Sequence, residues 1–350
     1  DPCTASCVMV NVNTGELLAC VTYPGYDTNR LANTVDSAYF ESLQKDLSVP
    51  QYNNATQQRT APGSTFKPIT AAAALTEGIV SVGEQIKDEG EYTNITPSPK
   101  CWIYPGSTHG KDNISEAIRD SCNYFFYEMG YRLSSEGGGY NENKGIAALR
   151  KYAALFGLDE KTGIEIPEND PQISDEYPIT SAIGQGNHNY TTTQLARYLT
   201  AVASSGNVYQ LTLLDKETTA DGSTVKEFKP EIIRKITEVS PVSWNAIQSG
   251  MRMVVENNKS FKDFPVAVAG KTGTAQQMET RANHALFIGY APYENPEIAI
   301  TTRIAYGYTS ANAVEVSKNI LKYYFNPADG QSLLDGQAED IERSANGFTD

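Results

Sequence analysis

Residues 61–75 read APGSTFKPITAAAAL, and this stretch decides the fold because its run of small residues lets neighbouring elements pack closely around it. The pattern predicts a central helix over residues 64–77, with Ser64 at its start and Lys67 three residues later. Residues three apart lie on one face of a helix, with Cβ atoms about 5–6 Å apart. A hydroxyl and an ammonium group side by side at the start of a buried helix therefore need a chemical explanation.

The composition excludes several classes of protein. The chain has 350 residues, 40% of them hydrophobic, which is enough for a large core and one or two domains. Its formal net charge of −14 argues against nucleic acid or anionic membrane as a partner. No apolar run approaches the roughly 20 residues needed to cross a bilayer, and no signal peptide opens the sequence. Two β-rich runs, residues 6–12 and 17–23, surround a hairpin turn at residues 13–15. Because the sequence begins on a strand, we expect it to be part of a longer protein.

The cysteines and histidines do not suggest a metal site. No C-x-x-C pair or Cys/His cluster gives a zinc pattern, and an odd number of cysteines leaves at least one thiol free. Cys7 and Cys20 would face each other across the first hairpin if its loop has four residues. Cross-strand neighbours rarely meet the torsional requirement of a disulfide, so no bridge is assigned. We therefore expect structural histidines, no metal and no cofactor. The cysteines are Cys3, Cys7, Cys20, Cys101 and Cys122, and the histidines are His109, His188 and His284.

The rest of the chain reads as a mixture of helices and strands. Asn113 to Glu116 has the capping-box pattern and opens a short helix. Apolar spacing predicts further helices between this point and the C-terminus, and alternation predicts strands. From Asn326 the sequence is polar and acidic, which indicates a tail. The further predicted helices are residues 124–133, 146–156, 194–204, 244–255 and 311–325, and the predicted strands lie within residues 207–238, 266–276, 285–291 and 298–305.

The spacing Ser-x-x-Lys is weak evidence by itself, since it also begins at Ser42 and Ser223. The plain interpretation of Ser64 is a helix cap followed by a lysine whose head reaches water. The alternative is a nucleophile with its base. A lysine can take the proton of a serine hydroxyl when burial and a second cation disfavour its charged form. A helix start also directs N–H groups at developing negative charge. Pro68 cannot donate to the carbonyl of Ser64, and we expect it to strain this turn.

Two further motifs bear on this choice. The motif Ser121-x-Asn123 lies between two helical patterns, where its side chains can project into a cleft. Lys-Thr-Gly occurs twice. The copy that begins at Lys161 lies in a turn and is predicted to be structural. The copy that begins at Lys271 continues to Thr274 on a predicted strand and is bracketed by glycines, which mark places where a backbone or ligand comes close.

The ordered set of three motifs is specific, because it is the set found in class A β-lactamases and penicillin-binding proteins. About residues 5–325 resemble the transpeptidase domain of a class B, high-molecular-mass penicillin-binding protein. The resemblance implies an α/β (α+β) fold, in which a five-stranded antiparallel sheet flanked by helices stands beside a mostly helical subdomain, with the active cleft between them. The family's membrane anchor and N-terminal pedestal are expected to lie outside this chain. The implied division is a domain at residues 1–325, with its helical subdomain at about 60–205, and an acidic tail at 326–350; the further family-like segments are residues 11–19, 23–29, 162–167 and 183–186.

The resemblance also assigns roles to individual residues. Ser64 would attack the carbonyl between the two terminal D-alanines of a peptidoglycan stem peptide, and Lys67 would take its proton. Ser121 would relay a proton to the departing D-alanine. The acyl group would then pass to an amine of a neighbouring stem, whereas a penicillin would leave Ser64 acylated. Asn123 would hold both the substrate backbone and Lys67, and Lys271 would supply positive charge. Thr272 and Thr274 would bind the terminal carboxylate, while Gly273 would leave room for the substrate. The N–H groups of Ser64 and Thr274 would form the oxyanion hole, and Cys122 would be a bystander.

The same resemblance implies where such a protein works and what it meets. The expected location is the extracytoplasmic face of the bacterial plasma membrane, reached through the anchor. The expected ligands are peptidoglycan stem peptides and β-lactam antibiotics. Division or elongation machinery would be a further partner.

Three related functions stay open. A β-lactamase needs a carboxylate that activates water, and Glu165 to Asn169 reproduces the E-x-x-x-N spacing of class A enzymes. We favour a structural role for this segment, because it lies in the family's Thr-Gly-Ile-x-x-Pro segment and the chain is long for a β-lactamase. A D,D-carboxypeptidase would differ only in using water as the acceptor. A β-lactam sensor would keep Ser64 and Lys67 and be acylated, but it would not act on peptides.

Overall fold

The computed structural model describes residues 4–275, 281–327 and 333. Five antiparallel strands form the main sheet, which confirms the predicted fold class. The strands are β1 (Ala5–Asn11), β2 (Leu17–Tyr23), β3 (Ile86–Lys87), β4 (Lys111–Asp112), β5 (Ser135–Glu136), β6 (Gly139–Tyr140), β7 (Asn207–Tyr209), β8 (Lys216–Thr218), β9 (Thr224–Glu227), β10 (Ile232–Lys235), β11 (Ala269–Ala275), β12 (His284–Ala291) and β13 (Ile298–Ile304). The main sheet has the spatial order β11, β12, β13, β1, β2, so the N-terminal hairpin pairs with the C-terminal strands.

The predicted helices are present, with shifts of a few residues at their ends, but the sequence analysis does not predict the helices Ser37–Lys45 and Pro178–Ser181. The helix predicted from residue 146 begins four residues earlier, at Glu142, after an Asn141 cap. Most of the predicted tail, together with Gln276 at the end of a predicted strand, lies outside the described residues. The helices are α1 (Ser37–Lys45), α2 (Lys67–Thr76), α3 (Ile114–Arg119), α4 (Asn123–Leu133), α5 (Glu142–Leu155), α6 (Pro178–Ser181), α7 (Thr192–Ala203), α8 (Pro241–Glu256) and α9 (Ser310–Phe325). Within the described ranges, none of them is long and apolar enough to span a membrane.

The first hairpin differs from its prediction in register. A bulge between Met9 and Val10 shifts the pairing, so that Cys20 lies opposite Val8 and Cys7 lies opposite Val21. Because successive side chains of a strand point to opposite faces, the two thiols do not face each other. Both cysteines are free. Cys7 instead accepts a hydrogen bond from Thr302 Oγ1, at 3.4 Å.

Both faces of the sheet are covered. On one face, Cys7 and Met9 pack with residues of α9 such as Val314 and Leu321. On the other face, Val8 and Val10 pack with Ala196 of α7. This alternation along β1 is the period-two pattern of a strand that is buried on both sides. The sheet is therefore the rigid layer on which the helices are positioned.

Helix α2 is the centre of the helical layer, as its small residues predict. Its residues 67–74 are buried, and Ala71 to Ala74 belong to the largest apolar core cluster. The predicted strain at Pro68 is absent, because the α-helix begins only at Lys67. Pro68 then occupies the first turn, where its missing N–H group has no intrahelical partner to lose.

Candidate active site

Ser64 lies in a 3₁₀ turn, Gly63–Phe66, that leads directly into α2. A 3₁₀ helix has three residues per turn, so side chains at i and i+3 stand directly above each other. Ser64 and Lys67 therefore share one edge of this turn more closely than they would in a regular α-helix. Both residues are buried, and Lys67 is 0% exposed.

Backbone packing fixes the turn that carries Ser64. Gly63 has φ of +52°, and its N–H donates to the carbonyl of Gly184 at 3.1 Å. A Cβ atom at Gly184 would overlap the carbonyl oxygen of Gly63, and a Cβ atom at Gly63 would lie 2.7 Å from the carbonyl oxygen of Thr274. The family-like segment 183–186 and strand β11 thus hold the turn from two sides, which explains why glycine occupies both positions.

The ammonium group of Lys67 is held by the Ser121-x-Asn123 motif. Its Nζ donates to the carbonyl oxygen of Ser121 at 2.6 Å, to Ser121 Oγ at 2.9 Å and to Asn123 Oδ1 at 2.7 Å. The Phe126 ring, which the sequence analysis did not single out, lies 5.6 Å from Nζ. A buried ammonium group needs such partners, since desolvation without them costs several kcal/mol.

Ser121 is the meeting point of the two lysines of the predicted site. Lys271 Nζ donates to Ser121 Oγ at 2.9 Å, so the ammonium groups of Lys67 and Lys271 both contact one hydroxyl. Ser121 has φ of +52°, a left-handed conformation that is uncommon for a residue with a side chain. Such strain persists where the surrounding structure imposes it, and it is common at functional sites.

Strand β11 forms one wall of the site. Lys271 is 0% exposed, and Thr272 and Thr274 follow it on the strand. A Cβ atom at Gly273 would lie 2.7 Å from Thr65 Cγ2 and 3.0 Å from the carbonyl oxygen of Pro62. Glycine is therefore required here for a reason within the protein, because it lets β11 approach the turn that carries Ser64.

The arrangement is suited to acyl transfer. A hydroxyl contacted by two amines can accept a proton from one neighbour and give its own proton to another, which is what departure of an amine leaving group requires. Lys67 follows Ser64 by three residues and contacts Ser121, so in its neutral form it could take the proton of the Ser64 hydroxyl and pass it on. The Ser64 turn also lies beside β11, so backbone N–H groups of both can face a developing oxyanion.

The duplicate motifs lie outside this cluster, as predicted. Lys161 is exposed, and its nearest carboxylate is Asp170, at 3.6 Å. Ser42 donates to the carbonyl oxygen of Tyr39 on α1. Ser223 lies in the exposed hairpin between β8 and β9. Of the three Ser-x-x-Lys copies, the structure thus brings only the one at Ser64 against the other two motifs.

The two glutamates of the E-x-x-x-N segment have structural partners. Glu168 accepts hydrogen bonds from the Thr162 N–H group, the Thr162 hydroxyl and the Thr193 hydroxyl, at 2.7–3.1 Å. Burial raises the pKa of Glu168 above its usual value. Glu165 accepts from the Thr212 hydroxyl and the Leu213 N–H group. Both carboxylates therefore have structural roles, in which they connect different segments of the chain through hydrogen bonds.

A second cluster of polar side chains lies directly behind the catalytic motif. Ligand atoms of Asp88, Cys101, His109 and Cys122 all lie within 4.8 Å of one another. His109 Nδ1 is 2.8 Å from Asp88 Oδ2 and 3.5 Å from Cys101 Sγ, while Cys122 Sγ is 3.7 Å from the same Asp88 oxygen. Two sulfurs, one imidazole and one carboxylate form a four-ligand set that suits tetrahedral zinc. The sequence analysis did not identify this candidate cluster, and Cys122, which was expected to be a bystander, is one of its four members.

His109 and Asp88 form a buried ion pair in this cluster. Burial favours the neutral carboxyl of Asp88, but hydrogen bonds from His109 and Gly90 outweigh burial and lower its pKa to about 2. Burial likewise opposes charge on His109, yet its bonds to Asp88 and Cys101 raise its pKa to about 9. A hydrogen bond from Cys122 lowers the pKa of Cys101 below its usual value. A zinc ion that binds here would have to displace the proton of His109.

We expect one zinc ion to bind this cluster and to stabilise the fold. Metal-stripped protein is titrated with Zn²⁺, and thermal unfolding is followed. At a free zinc concentration about a thousandfold above Kd, the expected gain in unfolding free energy is about 4 kcal/mol. Cys101→Ser is expected to remove this gain, whereas Cys7→Ser, at another buried cysteine, is expected to keep it. Equal gains in both variants would show that zinc binds elsewhere.

Comparison with known proteins places this geometry in a family context. The model of the penicillin binding protein transpeptidase domain matches residues 5–324. The peptidoglycan D,D-transpeptidase MrdA of Haemophilus influenzae is 29% identical over 358 residues, which cover 91% of this chain and 52% of that protein. The chain spans about half the length of the curated relatives it matches.

Two solved structures are similar over most of the chain. The imipenem acyl-enzyme complex of penicillin-binding protein A from M. tuberculosis has a TM-score of 0.80 at 25% identity, over 93% of this chain and 74% of that one. PBP2 of Pseudomonas aeruginosa in complex with WCK 5153 has a TM-score of 0.80 at 26% identity, with the same coverage of 93% and 74%.

Proposed function

This chain belongs to the penicillin-binding protein transpeptidase family, and from that membership we propose that it is a serine D,D-transpeptidase that cross-links peptidoglycan stem peptides. The observation that carries the proposal is the hydroxyl of Ser121, which both Lys67 and Lys271 contact at 2.9 Å beside the Ser64 turn. If Ser64 only capped a helix, the protein would need neither the buried Lys67 after it nor the second buried lysine, Lys271, from strand β11.

In the proposed mechanism, Lys67 takes the proton of Ser64 as its Oγ attacks the carbonyl between the two terminal D-alanines. The hydroxyl of Ser121 gives a proton to the departing amine of D-alanine, and Lys67 restores it. Asn123 fixes Lys67 through its side-chain oxygen and pairs with the substrate backbone. An acyl-enzyme on Ser64 results, and an amine of a second stem then attacks it.

Strand β11 and the Ser64 turn provide charge and orientation in this proposal. Lys271 draws the negatively charged end of the substrate towards Ser121, and the Thr272 and Thr274 hydroxyls bind the terminal carboxylate. The N–H groups of Ser64 and Thr274 stabilise the oxyanion. Gly273 contributes by letting β11 come close to Thr65 and Pro62.

The proposed ligands and location follow from this chemistry. A β-lactam that resembles the D-Ala-D-Ala end would acylate Ser64, and the imipenem acyl-enzyme of a relative 25% identical to this chain supports that proposal. Peptidoglycan lies outside the plasma membrane of bacteria, so we place the protein on the extracytoplasmic face. Partners in division or elongation remain part of the proposal.

The retention of penicillin tests this proposal against a β-lactamase. An enzyme that transfers an acyl group to an amine must keep water inactive, so wild type is expected to hold bound fluorescent penicillin for hours. Glu165→Gln and Glu168→Gln are expected to leave its release unchanged, because both carboxylates are engaged with threonines and backbone N–H groups. Release within minutes from wild type, stopped by either substitution, would identify a β-lactamase.

The same preparation distinguishes a transpeptidase from a sensor and a carboxypeptidase. Offered a peptide ending in D-Ala-D-Ala and an amine, a transpeptidase releases D-alanine and forms a new amide. A carboxypeptidase releases D-alanine but forms only the shortened acid. A sensor does neither, although it binds penicillin.

A further inference from the structure

A cavity of about 400 Å³ opens beside the catalytic cleft. Its volume lies within the range of roughly 300–1,000 Å³ that is typical of ligand sites. Ser121 and Thr272 form its inner end, whereas Ser64 and Lys67 are not among the described residues that line it. Its outer wall consists of Trp102, Ile103, His109, Arg119, Asp120, Val254, Asn257 and Asn258.

The two residues at the inner end indicate which part of the substrate lies next to the cavity. In the proposed mechanism, Ser121 serves the departing amine and Thr272 serves the terminal carboxylate. The cavity therefore begins where the departing D-alanine lies. Attack of an amine on the acyl-enzyme is the reverse of the step that expels D-alanine, so the incoming nitrogen arrives at that same position. Any group attached to the incoming amine must then extend beyond it.

We infer that this cavity is the acceptor subsite, which holds the peptide part of the incoming amine. The inference rests on the proposed transpeptidase function. In the step that it serves, the amine nitrogen forms a bond to the acyl carbon and the ester bond to Ser64 Oγ breaks. The proton lost by the amine passes through Ser121 and Lys67 back to Ser64 Oγ, so no other reactant is needed.

The cavity wall offers hydrogen-bonding groups that suit a peptide amine. Arg119 donates from Nε and Nη2 to the two carboxylate oxygens of Asp120, at 2.8 and 2.6 Å. The backbone carbonyl of Asp120 accepts from the Trp102 indole at 3.3 Å, so this wall is fixed. The Asp120 side chain remains 26% exposed, so its carboxylate can accept hydrogen bonds from the N–H groups of a peptide amine. The Asn257 and Asn258 amides add donors and acceptors for peptide groups.

Two acceptor substrates of different size distinguish the role of the cavity from the role of the rest of the site. Exchange of labelled D-alanine into a donor peptide needs only the position of the departing residue. Transfer to a short peptide that carries one free amine needs the cavity as well. Two variants alter the cavity in different ways: Asn257→Trp fills it from an exposed position, and Asp120→Asn removes its charge with little change in shape. Asp36→Asn is the matched control, because Arg30 contacts Asp36 with the same Nε and Nη2 atoms, at 3.1 and 2.6 Å, outside the cavity.

For Asn257→Trp, we expect transfer to the peptide amine to fall by about a hundredfold, since small misplacements of a reacting group have effects of this size. For Asp120→Asn, we expect kcat/KM for the peptide amine to fall by about tenfold through a higher KM, as for loss of one charged hydrogen bond. Exchange of D-alanine and acylation by penicillin are expected to stay within about twofold of wild type in both variants and in Asp36→Asn.

Each contrary result has a definite meaning. Unchanged peptide transfer in both cavity variants would overturn the inference alone. Equal losses of D-alanine exchange and peptide transfer would also overturn it, because the cavity would then belong to the donor side. Absence of D-alanine exchange and of transfer in wild type would overturn the proposed function, and the acceptor subsite with it.

Discussion

Ser64→Ala is expected to abolish covalent labelling by penicillin, with a loss of at least about 10⁶ in rate if it acts as catalytic nucleophiles generally do. Ser64 stands above Lys67 in a 3₁₀ turn, and Lys67 is saturated with acceptors from the Ser121-x-Asn123 motif. Thr65, the other residue with a hydroxyl in this turn, donates to the carbonyl oxygen of Pro62. Intact-mass measurement of wild type with penicillin is expected to show one adduct, which peptide mapping assigns to Ser64.

The other two Ser-x-x-Lys copies are the natural controls for this prediction. Ser42 lies on the exposed helix α1, where Lys45 pairs with Glu41, and Ser223 lies in an exposed hairpin. Ser42→Ala and Ser223→Ala are therefore expected to be labelled like wild type. An adduct that persists in Ser64→Ala, or one mapped to either control serine, would contradict the assignment of the nucleophile.

Most of the fold could be predicted from the sequence, because its elements carry strong local signals. The alanine run after Ser64 predicts a helix that packs closely inside the protein, and residues 67–74 of α2 are buried. The capping box at Asn113 fixes the start of α3, and both of its reciprocal hydrogen bonds are present. The position of Pro68 was harder, because the change from a 3₁₀ turn to an α-helix at Lys67 depends on packing against β11 rather than on local preference. The extent of a helical subdomain at residues 60–205 stays a prediction.

The register of the first hairpin shows where local signals end. The turn at residues 13–15 can be predicted from the sequence, but the bulge between Met9 and Val10 cannot. A bulge shifts the pairing by one residue and moves a cysteine to the other face. The partner of Cys7 is set by β13, about 300 residues away along the chain, through Thr302.

The clustering of the three motifs could be predicted because their order is distinctive, whereas the candidate metal site could not be predicted. Its four ligands come from three different parts of the chain with no recurrent spacing. The short ladder between β3 and β4 closes the loop from Asp88 to Gly110, with a hydrogen bond of 2.7 Å between these two residues. That closure brings His109 to Asp88, and the start of α4 supplies Cys122. Neither the closure of this loop nor the position of Cys122 beside it can be predicted from a sequence pattern.

The close relation between the two clusters has a mechanical consequence. Cys122 stands between Ser121 and Asn123, so the residue that contacts Asp88 separates the two residues that hold Lys67. Ser121 is also in a left-handed conformation. A cation bound to Cys122 would therefore restrain this backbone, and it would favour the geometry in which both lysines contact one hydroxyl.

Lys271→Ala is expected to slow acylation by penicillin by about 10²-fold or more, because it removes a preorganised charge from the cleft. Lys271 is fully buried, and its ammonium group contacts the hydroxyl on which Lys67 also acts. Lys161→Ala, in the other Lys-Thr-Gly copy, is the matched control. The Lys161 side chain is 50% exposed and lies 3.6 Å from an exposed aspartate, so its removal is expected to change the rate by less than about twofold.

Acylation rates measured in wild type and both variants test this difference, and thermal unfolding shows whether Lys271→Ala still folds. Removal of a buried lysine leaves a gap beside Ser121, so some loss of stability is expected even where the rate effect is specific. Lys271→Arg keeps the positive charge but replaces a compact ammonium group with a planar one. It is expected to recover part of the rate if charge is what Lys271 contributes. Equal losses in Lys271→Ala and Lys161→Ala, with both proteins folded, would mean that β11 is not the wall of the cleft.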